Sequence, residues 1–280
     1  MRIDLDFLKL GIREVLLNRP KFGLLIIGDE ILSGRRADKH LAKVIELLES
    51  RGMSLSYARY LPDERATIVD ELKRTFATQD IVFVTGGIGA TPDDHTRQAA
   101  AAALGVDIEL HPEAKQLILE RIVEMNQALT GKERDQRLRM GEFPKGAKII
   151  ANPFNKIPGF QIGTHHFVPG FPVMAWPMLE AVLDTQYAHL FQRGERAEKA
   201  MLVFQTAEST LTPLMEQIEA QFPDMRVFSL PSVGDDSVEG ARSRRHIELG
   251  VKGPAAQLDA AYAALRSGVL ALEAEIEENP

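Results

Sequence analysis

The chain contains no cysteine, which excludes disulfides, thiolate metal sites and cysteine nucleophiles together. No apolar run approaches the ~20 residues needed to cross a bilayer. The first twenty positions interrupt their apolar residues with Asp4, Asp6, Lys9, Arg13 and Glu14, so they lack the continuous core of a secretory signal. An excess of basic charge is missing as well. The formal net charge is −7, whereas a duplex nucleic-acid surface requires clustered Lys and Arg. Neither a phosphate loop ending in Gly-Lys-Ser/Thr nor a Ser-His-Asp arrangement is found. These absences argue against a membrane protein, a disulfide-stapled secreted domain and a nucleic-acid binder. A cytoplasmic protein acting on a small molecule remains, because a phosphorylated ligand needs only a local site.

What is present is ordinary globular composition, 45% hydrophobic and 26% charged over 280 residues, enough for about two domains. Residues 1–20 place Leu5, Leu8, Ile12, Val15 and Leu16 at helical spacing, predicting an amphipathic leader helix. Residues 21–192 alternate apolar runs with helical periods. Strands are predicted at Phe22–Ile27, Tyr57–Leu61, Ile81–Thr85, Ala147–Ile150 and His165–Val168. Helices are predicted through Leu41–Leu48, Val69–Phe76, Thr96–Leu104, Pro112–Leu129 and Met174–Leu190. Alternating strands and helices imply a mostly parallel sheet between helical layers, an α/β fold. The charged stretch Gln192–Glu198 is read as a boundary. Residues 199–280 then follow a strand-helix-strand-strand-helix order, that of a small ferredoxin-like α+β unit, with an exposed loop at Gly234–Arg245 and a frayed acidic tail from Glu273.

Ligands on parallel sheets bind beyond the carboxyl ends of the strands. Three predicted strand exits there carry Gly28-Asp29-Glu30, Pro62-Asp63 and Gly86-Gly87-Ile88-Gly89. The longest signal is Thr85-Gly86-Gly87-Ile88-Gly89-Ala90-Thr91-Pro92-Asp93-Asp94-His95-Thr96. Its glycines allow a tight turn that offers successive N–H groups to an anion, and the following helix adds its positive end. The same residues also suit a plain turn with Asp93 or Asp94 capping the helix. Two carboxylates beside a phosphate would repel it unless a cation such as Mg²⁺ bridges them. Gly28-Asp29-Glu30-Ile31-Leu32-Ser33-Gly34 with Asp38 is the second signal, and a solvated loop with Asp38 as a cap is its plain alternative. Asp63 could likewise be a simple cap. Asn152–Phe160 and Val168-Pro169-Gly170-Phe171-Pro172 read as rigid loops. His165 and His166 adjoin on a strand and therefore point to opposite faces, a poor chelate. His40 and His95 lie near the site without ligand spacing.

These segments resemble the MoCF (molybdopterin-binding) family, most closely the N-terminal part of the competence/damage-inducible CinA proteins. Thr85–Thr96 is similar to that family's Gly-Gly-x-Gly-x-Thr-x-Asp-Asp-x-Thr signature, and Gly28–Gly34 to its opening loop. Pro153, Pro158-Gly159-Phe160 and Pro169-Gly170-Phe171-Pro172 match later loops in order and spacing. The resemblance covers residues 22–190 and implies a three-layer MoCF-type fold. Relatives either adenylylate molybdopterin or hydrolyse a nucleotide pyrophosphate such as ADP-ribose or FAD with a divalent metal. It implies catalytic roles for Asp63 and Asp94. The expectation built on it is that Asp94, helped by Asp93 or Asp29, holds Mg, Mn or Co, and that Asp63 or Glu30 orients the attacking water. It further implies a nucleotide or pterin ligand held by Gly28, Ser33, Gly34, Asp38, Thr85, Gly86, Gly87, Ile88, Gly89, Thr91, Thr96, Pro169 and Gly170, together with self-association into a homo-oligomer. Ala90 stands where the signature usually has Pro, and Lys39-His40 where Thr-Asn is usual. These departures touch ligand contacts more than the fold, so a non-catalytic pterin- or nucleotide-binding module is the first alternative. A molybdopterin adenylyltransferase-like enzyme is the second, and an assembly scaffold, from the family's self-association, the third. The amidase domain of full-length CinA is absent from these 280 residues, and deamidation is not expected.

Overall fold

The computed structural model describes residues 20–126, 129–192, 196–235, 237 and 240–278; the expected leader helix lies outside them. The chain divides into two compact units, the break falling between Leu190 and Phe191.

The first unit is built on a six-stranded mixed sheet. Its strands are β1 (Phe22–Ile27), β2 (Leu55–Leu61), β3 (Ile81–Thr85), then β6 (Lys148–Ile150), β7 (Gly159–Ile162) and β8 (His165–Val168), in the order β2-β1-β3-β8-β7-β6. The first four run parallel, and β7 is antiparallel to both its neighbours. Every residue of β1, β3 and β8 is buried, as expected for central strands covered on both faces. Phe160 stacks on Phe167 at 4.3 Å and on Phe143 at 4.8 Å, filling the core below the sheet's antiparallel half.

Register decides where the site forms. Ile27 pairs with Leu61, Ile26 with Thr85, and Thr85 with Val168, so all four parallel strands end at one level. Their exits Gly28, Pro62-Asp63, Gly86 and Pro169 are therefore neighbours in space. The connections carry α1 (Asp29–Leu32), α2 (His40–Glu49), α3 (Arg65–Phe76) and α4 (Thr96–Leu104). Beyond α4, the short pair β4 (Ile108–Leu110) and β5 (Glu142–Pro144) brackets α5 (Pro112–Glu124) and α6 (Gly131–Leu138). The predicted helix to Leu129 ends earlier: Met125 is its C-cap, and Asn126 turns to φ 51°. Thr130 then starts α6 with a capping box closed by Glu133. The loop expected over Asn152–Phe160 gives way to β7 at Gly159. Finally α7 (Pro172–Gln186) follows β8.

The second unit runs β9 (Arg196–Phe204), α8 (Glu208–Gln221), β10 (Arg226–Ser232), β11 (His246–Pro254), α9 (Ala255–Ala271) and β12 (Glu275–Glu278). Its antiparallel sheet has the order β10-β11-β9-β12, the ferredoxin-like arrangement. The acidic tail is not frayed over Glu275–Glu278: it pairs with β9. Arg244 grips Glu275 through two hydrogen bonds of 2.8 and 3.0 Å, and Arg266 bonds Glu278. Among the described residues, no helix is long and apolar enough to cross a membrane.

Candidate functional site

The Gly-rich loop leaves β3 through a turn that only glycine can make. Gly86 has φ +99°, and a Cβ placed on it would stand 2.1 Å from the Ile27 carbonyl oxygen. Gly87 has φ +65°, and its Cβ would meet the Thr96 hydroxyl at 2.2 Å. Thr96 opens α4 and ties the turn down: its N–H donates to the Gly87 carbonyl and its hydroxyl to that of Gly86, both at 3.0 Å. Ile88 is buried in the core. Gly86 N–H donates to Val168 O, but the N–H groups of Gly87, Ile88 and Gly89 have no acceptor among the described residues. Three neighbouring free donors beside a helix start make this loop a candidate anion cradle.

Carboxylates surround it. Asp29 N–H donates to Asp63 Oδ2 at 2.9 Å, and Asp63 N–H to Asp29 Oδ1 at 3.2 Å, joining the exits of β1 and β2. Burial raises the Asp63 carboxyl above its ordinary value; the Asp29 N–H opposes this, and the charges of Asp29, Glu30 and Asp93 raise it further. Asp94 accepts from Thr91 N–H at 2.8 Å and from the Thr91 hydroxyl, and its Oδ2 lies against Gly89. The N-cap of α4 is His95, without a side-chain cap, so helix capping does not explain Asp93 or Asp94. Asp38 does have a capping role. Its oxygens accept from His40 N–H at 2.8 Å, Leu41 N–H at 3.1 Å and Tyr60 Oη at 3.0 Å. Ser33 and Gly34 close α1 through the Asp29 and Ile31 carbonyls. Thr85 is buried with an unpartnered hydroxyl. Because Glu30 is one source of the field on Asp63, Glu30→Gln is expected to lower the Asp63 titration. Carboxyl NMR against pH measures it, and an unchanged or rising midpoint would contradict the assigned coupling.

Arg97 and Gln136, which sequence reasoning passed over, complete the frame together with His40 and Pro169-Gly170. Arg97 is buried, and its guanidinium donates to the carbonyls of Arg139, Glu142 and Gly89. Burial holds it below its ordinary value, against the pull of Glu142 and Asp94. An Arg beside an alanine run reads as solvated, and nothing local announces its carbonyl partners. Gln136 of α6 donates to Ala90 O. His40 Nε2 bonds the Gly170 carbonyl at 3.0 Å, and a Cβ on Gly170 would lie 3.4 Å from Gly86 Cα, so Pro169-Gly170 forms the cradle's far wall. Two other concavities, about 660 Å³ along α5 and about 580 Å³ beside Pro20, Phe76 and His165, have no lining residue from the cradle.

Among the described residues, no group of three or more His, Asp or Glu is placed to hold a metal ion. The donors are carboxylate oxygens in ones and twos whose negative charge is felt at Asp63. That set suits a hard cation that shares its coordination with a ligand's phosphates, not one caged by protein alone.

Fold and site together define an α/β domain with a Gly-rich loop, the candidate cradle, at the carboxyl edge of its parallel strands. Residues 23–189 match the MoCF_biosynth family, described as "Probable molybdopterin binding domain", and the chain belongs to this family. A CinA-like protein of Citrifermentans bemidjiense is 33% identical over 200 residues, covering 70% of this chain and 47% of its own. A protein of Caldivirga maquilingensis is 31% identical over 200 residues, covering 70% of this chain and 75% of its own. The crystal structure of the protein CinA of Thermoplasma acidophilum, described as of unknown function, superposes with a TM-score of 0.51 at 26% identity, over 59% of this chain and 97% of that one. The chain thus spans about half the length (47%) of the Citrifermentans CinA-like relative.

Proposed function

We propose that the first unit binds the phosphate end of a nucleotide- or pterin-type ligand at Gly86–Gly89 and hydrolyses a nucleotide pyrophosphate of the ADP-ribose or FAD class with a divalent cation, Mg, Mn or Co. The observation that supports this best is the free N–H triplet of Gly87, Ile88 and Gly89 beside Asp93 and Asp94, carboxylates that no helix cap employs. Asp94, with Asp93 or Asp29, would hold the cation, which when bound supplies Lewis-acid neutralisation of the phosphoryl oxygens. Asp63 or Glu30 would orient the attacking water. Asp63 suits proton transfer because its carboxyl is raised toward neutrality, the direction that favours general acid–base work near the operating pH. The N–H groups would steady charge on the phosphate as it develops. We also place self-association within this reading.

The test is release of AMP from ADP-ribose and from FAD with each metal, for the native chain beside Asp94→Ala and Asp94→Asn. Turnover is expected to fall at least about a hundredfold in both, with urea midpoints close to native. Full turnover in a folded variant would remove Asp94 from the mechanism. A second reading, ligand binding without hydrolysis, is favoured by the engagement of Asp94 Oδ2 with Thr91. Binding of ADP-ribose without turnover under every metal would select it.

A further inference from the structure

The cradle's rim carries an aromatic ring that the core does not use. Phe171 is 54% exposed, yet its backbone is fixed on both sides. Its carbonyl accepts from Met174 and Ala175 N–H groups at 2.9 Å each, and Pro172 sets the first turn of α7. The preceding Gly170 packs on Gly86 and is held by His40. Phe171 therefore stands one residue from the anion cradle on backbone that is tied to it. The Arg36 guanidinium lies 5.9 Å from the Phe171 ring centroid, and Arg36 is anchored by its N–H to the Glu30 carbonyl at 3.0 Å. Its side chain is exposed and forms no ion pair among the described residues.

An exposed single apolar residue needs no explanation by itself. A rigidly mounted ring with a planar cation beside it, at the edge of a phosphate cradle, is a different matter. Flat heteroaromatic rings stack on phenylalanine faces and on guanidinium planes, and they gain more where both are offered together. We infer that Phe171 and Arg36 form a stacking platform that selects phosphorylated ligands carrying a flat heteroaromatic ring, of purine or pterin class, over those without one. This rests on the phosphate cradle proposed above, and it adds a specificity residue that contacts no phosphate.

The experiment titrates the full native chain, Phe171→Ala and Phe171→Trp by calorimetry with inorganic pyrophosphate, ADP and a pterin diphosphate. The native chain is expected to bind a ring-bearing ligand about tenfold or more tighter than pyrophosphate. Phe171→Ala should lose about tenfold for that ligand and nothing for pyrophosphate, and Phe171→Trp should restore the loss. Whichever of ADP and the pterin diphosphate loses more identifies the ring class. Equal native affinity for all three ligands would overturn the platform while leaving the cradle intact. So would a Phe171→Ala loss shared by pyrophosphate, or a change in oligomeric mass with no change in affinity. Failure of the native chain to bind pyrophosphate would instead overturn the cradle, and the platform with it.

Discussion

Gly86→Ala is expected to destabilise the first unit by about 3 kcal/mol and to abolish phosphate binding. The reason is steric before it is conformational. The new methyl would stand 2.1 Å from Ile27 O and 3.2 Å from Ile27 C, and both belong to the last residue of β1, a strand buried throughout. Neither side can yield cheaply. Gly86 is bound to Val168 through its N–H and to Thr96 through its carbonyl, and Ile27 is paired with Leu61. Gly105→Ala provides the comparison. Gly105 is also left-handed, at φ +68°, but a Cβ there meets nothing within 4 Å, so the cost should be only the backbone preference, about 1 kcal/mol. Urea unfolding of both variants separates the two. Equal losses would mean that the close approach of β1 and the loop is not what fixes the cradle.

The parts of this architecture that were legible in the sequence share one property. β1 and β3 end where expected because each is an apolar run closed by glycine, and both are buried throughout; β8 stops at Pro169-Gly170, and α4 is an alanine run opened by Thr96 and closed by Gly105. The convergence of strand exits followed from parallel topology alone, before any register was known. What was not legible depended on distant partners. β12 carries glutamates at three of its four positions, and it is a strand only because β9 offers an open edge and Arg244 and Arg266 balance its charge. β7 is four residues behind a proline, too short to show alternation. α6 had a readable start, the Thr130-x-x-Glu133 capping box, but its segment GKERDQRL carries a single large apolar residue, Leu138, and so no apolar face to read.

Within the site the same distinction holds. The glycines, Asp29, Asp63 and Asp94 were readable because each type is unusual at a strand exit, and local chemistry suffices to flag it. Asp38 was readable only as an ambiguity. The structure shows the cap, with three donors on its carboxylate, one on Oδ1 and two on Oδ2. Arg97 was unreadable as part of the frame, and His40 readable only as lying near the site, because their partners are backbone carbonyls, which carry no sequence signature. Arg97 joins the Gly89 carbonyl to those of Arg139 and Glu142, some forty residues further along (|i−j| 42 and 45 from Arg97). The carbonyls of Arg139 and Glu142 and the side chain of Gln136 thereby tie this distant segment to the loop.

Acid should unfold the first unit through two histidines. His165 and His166 sit on β8 and point to opposite sides. His165 packs on Phe76 at 4.0 Å and bonds Thr75 at 2.9 Å; His166 bonds Tyr187 at 2.7 Å. The Nδ1 atom of each is buried without a partner. The Thr75 hydroxyl already donates to the Glu71 and Leu72 carbonyls, so His165 carries its proton on Nε2 and Nδ1 is a bare lone pair. A second proton there would create a buried N–H with no acceptor and a buried charge. Burial accordingly pushes both imidazoles from 6.5 down to about 3, with His165 adding to the effect on His166. The unfolded chain binds these protons first, so the stability they contribute is complete above about pH 6.5 and is lost as pH falls from there toward 3. With two protons the slope approaches about 2.7 kcal/mol per pH unit. By pH 5 the loss reaches about 4 kcal/mol, a large share of a stability of order 5–15 kcal/mol. His166→Gln keeps a polar partner for Tyr187 and removes one titrating group. Its stability should therefore fall less steeply than the native protein's, by about 1.3 kcal/mol per pH unit between pH 6 and pH 4.5. Carboxylate titration is common to both proteins and cancels in that difference. Equal slopes in urea unfolding across this range would mean that His166 is already protonated in the fold, or that the fold opens to admit its proton.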